Sequence, residues 1–164
     1  MRFCAVVAIY RPNVALLLLN EHDELLICER MEFEGAWQFP QGGIDEGELP
    51  REALSREVEE EIGLPPSCYE VIQSRDGYAY MFPPELRKRK GNRAGFDGQS
   101  QTYFLCRLRE NAPPVDVAQD PREFRSHAWV EPALFDLNWL PSFKRSVYRK
   151  VLRDFFEVEV ESRS

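Results

Sequence analysis

Short apolar runs separated by polar punctuation dominate the first third of the chain. Residues 4–9, 14–19 and 25–28 are apolar or β-branched, and Pro12-Asn13 and the cluster Asn20-Glu21-His22-Asp23 stand between them. This spacing predicts three strands joined by turns, with an antiparallel start. The longest purely apolar run, 14–19, falls far short of the roughly 20 residues a membrane-spanning helix needs, so it reads as a buried strand. Pro50 and Gly63 then bracket Arg51 to Ile62, a stretch of good helix formers with proline placed for the first turn and glycine for the stop. Further strands are predicted at 69–74, 101–108 and 126–130, and a second helix from Ser142 to about Phe156. Strands and helices follow one another without βαβ regularity, which predicts an α+β fold. Residues 83–99, rich in Pro, Gly and bases and including Arg87-Lys88-Arg89-Lys90, read as a mobile loop.

The 164 residues suit a single core, and no internal repeat or linker divides them, so one domain over 1–164 is expected. Twenty-eight acids against 21 bases leave a formal charge of −7. That balance argues against adhesion to nucleic acid or an anionic membrane through overall charge, so any polyanion must be met by local cations. The cysteines Cys4, Cys28, Cys68 and Cys106 form no C-x-x-C pair, which excludes the common zinc and redox motifs. They read as buried thiols in a reducing cytoplasm. The start, MRFCAVVAIYRPN, lacks the pattern of an export signal, and no membrane role is expected.

Placing the residues of the first helix 100° apart puts Glu57, Glu60 and Glu61 on one face. Leu54, Val58 and Ile62 fill the adjoining sector at i, i+4, i+8 spacing, so burying that stripe holds the carboxylates at the edge of the core. Clustered carboxylates raise one another's pKa, and a divalent cation reverses that cost. An all-oxygen donor set favours magnesium or manganese over zinc. Taken alone, such a face is commonly no more than a solvated surface. The segment Gln41-Gly42-Gly43-Ile44-Asp45-Glu46-Gly47-Glu48 changes that balance, because its glycines let backbone approach a ligand closely just before the helix. It lacks the Gly-Lys-Ser/Thr ending of a P-loop.

Gly42, Glu48 after five residues, and Arg56-Glu57-Val58-Glu59-Glu60-Glu61-Ile62-Gly63-Leu64 after seven more fill every defined position of the Nudix box, and on these residues the chain resembles the Nudix hydrolases. Tyr10-Arg11-Pro12-Asn13-Val14, Trp37-Gln38-Phe39-Pro40-Gln41-Gly42-Gly43, Gly98-Gln99-Ser100-Gln101 and Ser142-Phe143-Lys144-Arg145 are similar to the branch of bacterial RNA pyrophosphohydrolases and dinucleoside polyphosphate hydrolases. Arg125-Ser126-His127 departs from that branch, where an acid or Gly commonly leads to Trp.

The resemblance implies an α/β/α Nudix sandwich around a mixed sheet and hydrolysis of a phosphoric anhydride with several magnesium ions, manganese being a substitute. By motif position, Glu57, Glu60 and Glu61 with the Gly42 carbonyl are implied metal ligands, and Arg56 the ion-pair partner that orients the glutamates. Glu123, in Arg122-Glu123-Phe124, matches an extra carboxylate supplied from outside the box as ligand or base. Arg11, Arg30 and Lys144 resemble cations that meet 5′ phosphates, and Phe143 resembles a residue that stacks on a base. Packing competes for Phe143, which shares i, i+4, i+8 spacing with Val147 and Val151. His22 and His127 read as surface or packing residues, and no paired Ser or Cys arrangement suggests covalent catalysis. The expected activity is removal of pyrophosphate or phosphate from tri- or diphosphorylated RNA 5′ ends by a monomer. The alternatives are dinucleoside polyphosphate hydrolysis and, from another class, a catalytically silent nucleotide-sensing or protein-binding module.

Overall fold

The computed structural model describes residues 7–87 and 95–162. Its centre is β1 (Tyr10–Leu19), whose side chains alternate between two apolar clusters. Ala15, Leu17 and Leu19 enter one cluster and Val14, Leu16 and Leu18 the other. Burial on both faces explains why this run shows no polar alternation. Around it lie β2 (Leu25–Arg30), β3 (Trp37–Gln38), β4 (Gln41–Gly43), β5 (Tyr69–Met81), β6 (Gly98–Leu108) and β7 (Phe124–Val130). The seven-stranded sheet runs β3-β2-β1-β6-β5, with β4 also on β1 and β7 on β2. β1 pairs parallel with β6 from Tyr10↔Gly98 to Leu19↔Arg107, and its other pairings are antiparallel, so the sheet is mixed.

Helix α1 (Pro50–Ile62) covers one face, with Leu54, Val58 and Ile62 in the cluster that holds Val14 and Leu16. A short helix, α2 (Pro84–Arg87), follows β5. Helix α3 (Ser142–Phe156) covers the other face through Val147, Tyr148, Val151 and Leu152, giving an α+β sandwich with the sheet between helices. At the start of α1 the Leu49 N–H donates to the Glu52 carboxylate at 3.1 Å. At its end Gly63 turns to φ 72°, a left-handed stop that glycine adopts without strain.

Several expected boundaries move. Pro12-Asn13 is not a turn: both residues lie inside β1, which begins at Tyr10, after residues 7–9, while residues 4–6 lie outside the described part. The Pro12 carbonyl accepts from Ile44 N–H at 3.0 Å, just past the last β4 pairing at Asn13↔Gly43. The proline's missing donor therefore falls where the ladder ends. β5 continues to Met81 instead of stopping near residue 74, because Gly77 at φ 83° and a register shift between Arg75 and Tyr78 absorb the polar stretch. The expected loop begins with α2, in which Arg87 Nε donates to the Phe82 carbonyl at 2.7 Å. Lys88, Arg89 and Lys90 lie outside the described residues. The departing segment at 125–127 is held in β7, where Ser126 donates to the Glu29 carboxylate at 2.9 Å opposite a bulge between Glu29 and Arg30.

Candidate active site

Where β4 turns toward α1, the backbone and the helix carboxylates meet without room for a side chain between them. A Cβ on Gly42 would fall 1.9 Å from Cδ of Glu57, and one on Gly43 would fall 2.1 Å from a guanidinium nitrogen of Arg11. The close approach expected of these glycines is thus toward two of the chain's own charged side chains. Arg56 organises the rest. Its guanidinium takes Glu48 in a two-pronged pair at 2.9 Å each, reaches Glu57 at 2.8 Å and donates to the Gly43 carbonyl at 2.9 Å. A planar fork suits this bidentate geometry, and one cation ties the loop to the helix. The pairing holds the Glu48 carboxyl down at about 2.

The carboxylates divide by environment. Glu61 is 4% exposed, and its Oε2 has no hydrogen-bond partner among the described residues. Burial first, then the nearby charges of Glu123 and Glu57, push its carboxyl well above the usual range. Glu57 is also raised, chiefly by burial, although Arg56 opposes the shift. Glu60 is turned outward to Arg56 at 3.4 Å with 58% of its side chain exposed, and Glu59 is exposed.

A cavity of about 390 Å³ opens in front of this edge. Glu57, Glu61 and Glu123 line it together with Gly42, and Arg11, Arg30 and Lys144 line it too. Glu60, Arg56 and Phe143 are outside the lining: Glu60 and Arg56 stand beside it, and Phe143 is half-buried with its ring 5.6 Å from that of Tyr80. Lys144 is buried, its ammonium 5.9 Å from the centre of the Tyr80 ring. Glu123 is fixed through its backbone, whose carbonyl accepts from Met31 N–H at 3.0 Å. Arg122, to which the sequence pattern gives no role, also lines the cavity and braces the turn by donating to the carbonyls of Phe124 and Arg125. The amides of Asn13, Gln38, Gln41 and Gln99 complete the wall. All four lie within the branch-like motifs, but nothing in spacing alone marks an amide that faces a cavity.

Among the described residues no three His, Cys, Asp or Glu side chains already converge as a closed ion cage, consistent with the outward turn of Glu60. The donor chemistry nevertheless fits a divalent cation. The set is oxygen-only, and it leaves a buried carboxylate oxygen unpartnered beside two further acids. The buried thiols of Cys28 and Cys106 are poor nucleophiles. Burial pushes the Cys106 thiol up to about 12 and raises Cys28, while His22 and His127 are exposed and away from the cavity. No helix among the described residues is long and apolar enough to cross a membrane.

The NUDIX domain family matches residues 9–155. The chain is 43% identical over 152 residues to the RNA pyrophosphohydrolase of Helicobacter pylori (strain P12), covering 89% of this chain and 93% of that protein. It is 42% identical over 150 residues to the RNA pyrophosphohydrolase of Francisella tularensis subsp. mediasiatica (strain FSC147), covering 90% and 94% respectively. Among solved structures, the E. coli dihydroneopterin triphosphate pyrophosphohydrolase shares the fold with a TM-score of 0.61 at 18% identity, covering 90% of this chain and 97% of that one.

Proposed function

Since this chain belongs to the Nudix family, we propose that it is a metal-dependent hydrolase that removes pyrophosphate, or phosphate, from triphosphorylated or diphosphorylated RNA 5′ ends. The observation that carries this reading is the division of the cavity wall, with Glu57, Glu61 and Glu123 facing a space that Arg11, Arg30 and Lys144 also line. A polyphosphate is the ligand that needs both, because its anionic oxygens pair with the cations while its remaining charge recruits metal to the carboxylates. Likeness over most of their length to relatives named RNA pyrophosphohydrolase supports the RNA end as the bearer of that polyphosphate.

In this reading Glu57, Glu60, Glu61 and Glu123, with the Gly42 carbonyl, hold magnesium, or manganese in its place. The bound ions supply charge neutralisation on phosphate oxygens and a more acidic water. Arg56 keeps Glu57 and Glu48 in place, and Arg11, Arg30 and Lys144 orient the phosphates. One cavity carboxylate takes the proton of the attacking water as the new phosphorus–oxygen bond forms and the anhydride bond breaks. No protein nucleophile is required. Phe143, half-buried beside Tyr80, stacks on a base. We place the protein in the cytoplasm as a monomer folding as one domain.

The test sets triphosphorylated RNA against diadenosine tetraphosphate with the purified protein, in magnesium and then in manganese, and measures released pyrophosphate and nucleotide. Faster turnover of RNA with pyrophosphate release is expected. A strong preference for the dinucleotide would move the assignment to dinucleoside polyphosphates, and no turnover of either would leave a silent binding module.

A further inference from the structure

The neutral part of the cavity wall has a polarity that one buried hydroxyl fixes. Tyr103, on β6, is fully buried, and its hydroxyl bonds at 3.1 Å to Oε1 of Gln101, itself 1% exposed. Tyr103 has no other hydrogen-bond partner among the described residues. A buried O–H with one partner must donate to it, since leaving the hydrogen unpaired costs about 1–3 kcal/mol. The carbonyl end of the Gln101 amide is therefore committed to Tyr103, and its Nε2 faces the other way. That nitrogen has two hydrogens and two acceptors: Oδ1 of Asn13 on β1 at 2.9 Å and Oε1 of Gln41 on β4 at 2.7 Å. Both neighbours are thus also held by their carbonyl ends. Their own NH2 groups are the atoms left to face the cavity, which both residues line.

We propose that Tyr103 and Gln101 act as positioning residues that lock Asn13 and Gln41 with their NH2 groups toward the cavity, making this wall a neutral donor surface that selects acceptor-only groups, the phosphate oxygens of the substrate. An amide free to rotate offers donor or acceptor equally; a locked one donates to a phosphate oxygen without reorganisation and turns away a group that only donates. The same three-way bond ties β6, β1 and β4 together at the place where Gly42 and Gly43 meet Glu57 and Arg11. The inference rests on the polyphosphate reading of the cavity, and its test separates the two.

Side-chain amide resonances of 15N-labelled protein, assigned with Asn13→Asp and Gln41→Glu, are followed during titration with inorganic pyrophosphate. The NH2 signals of Asn13 and Gln41 should shift while that of Gln101 stays. Movement of the Gln101 signal with Asn13 and Gln41 unchanged would overturn the proposal. Tyr103→Phe, which removes the hydroxyl and keeps the ring, should raise KM for triphosphorylated RNA about fivefold, the worth of roughly one hydrogen bond, with kcat nearly unchanged. A variant that melts earlier but keeps the native KM would show a purely structural hydroxyl and would also overturn it. The titration needs no turnover, so amide shifts in a protein inactive on RNA would support the donor wall and sink the hydrolase assignment instead.

Discussion

Glu61→Gln should make the metal-free protein more stable and the enzyme almost inactive. Glu61 is 4% exposed, one of its oxygens has no hydrogen-bond partner among the described residues, and Glu123 and Glu57 add like charge. An amide keeps the shape, removes the charge and carries hydrogens that can be donated toward Glu123. Relief of one unsatisfied buried polar group is worth about 1–3 kcal/mol, more where that group is charged, and each kcal/mol moves the melting temperature by roughly 2–4 °C at this chain length. A rise of several degrees in EDTA at pH 8 is therefore expected.

The pH dependence carries the sign. A carboxyl whose folded pKa lies above its unfolded value of about 4.3 contributes stability below that value and loses it as pH climbs through the folded pKa. The advantage of the variant should accordingly be small at pH 4–5 and grow toward pH 8. Turnover in magnesium should fall on the order of 100-fold or more, as when a metal ligand is lost. Melting in EDTA and in magnesium, alongside hydrolysis of triphosphorylated RNA, measures all three effects. A destabilised variant in EDTA, or near wild-type turnover at saturating magnesium, would refute the reasoning, because a structural glutamate and a metal-holding one have opposite signatures.

Arg56→Ala should lower both turnover and melting temperature, by about 1.5–3 kcal/mol of stability, since it breaks a charged fork on Glu48 together with the bonds to Glu57 and the Gly43 carbonyl. Glu59→Gln, on the exposed side of α1, should leave both unchanged in the same assays; damage like that of a Glu60→Gln variant would mean the facing of the helix is wrong. Arg11→Ala and Lys144→Ala should each remove about 1.5–3 kcal/mol from kcat/KM on triphosphorylated RNA as charge-assisted bonds are lost, and unchanged kinetics would take them out of phosphate binding. Phe143→Ala should cost roughly 1–3 kcal/mol of stability from its packing on Tyr80 and a similar amount in kcat/KM, and a loss confined to denaturation curves would leave it as core alone.

Periodicity is the part of this architecture that the sequence makes legible. The i, i+4, i+8 spacing of Leu54, Val58 and Ile62 is enough to orient α1, and the facing of Glu57 and Glu61 toward the cavity follows from that stripe. Glu60 shares the same sector on a helical wheel yet turns out to Arg56, because a wheel gives the direction of Cβ and not where a long side chain finds its partner. β3 and β4 are illegible in the same terms: two and three residues are too few to carry a period, and their strand geometry comes from pairing with β2 and β1. Pro12 misleads for the opposite reason, since a proline signals a turn locally but is harmless in a strand wherever the neighbouring ladder has run out.

In the proposed reading an acidic chain has to hold a polyanion with the charges of one site. With a formal charge of −7 the protein as a whole repels phosphate, so attraction has to be short-ranged and directional. Arg11 and Lys144 are far apart in sequence but come to one cavity because β1 begins, and α3 starts, at the same end of the sheet. Neither lies loose in solvent: Arg11 rests on Gly43, and Lys144 is buried beside Tyr80. Restricting the cations in this way gives up long-range steering, which salt would screen in any case, and concentrates their effect on a ligand already inside. Such a wall discriminates by where the phosphates are in space. In the proposed reading it favours a terminal polyphosphate, which can lie between metal held at the carboxylates and fixed cations, over the singly charged linkages of an RNA backbone, and so directs the chemistry to chain ends.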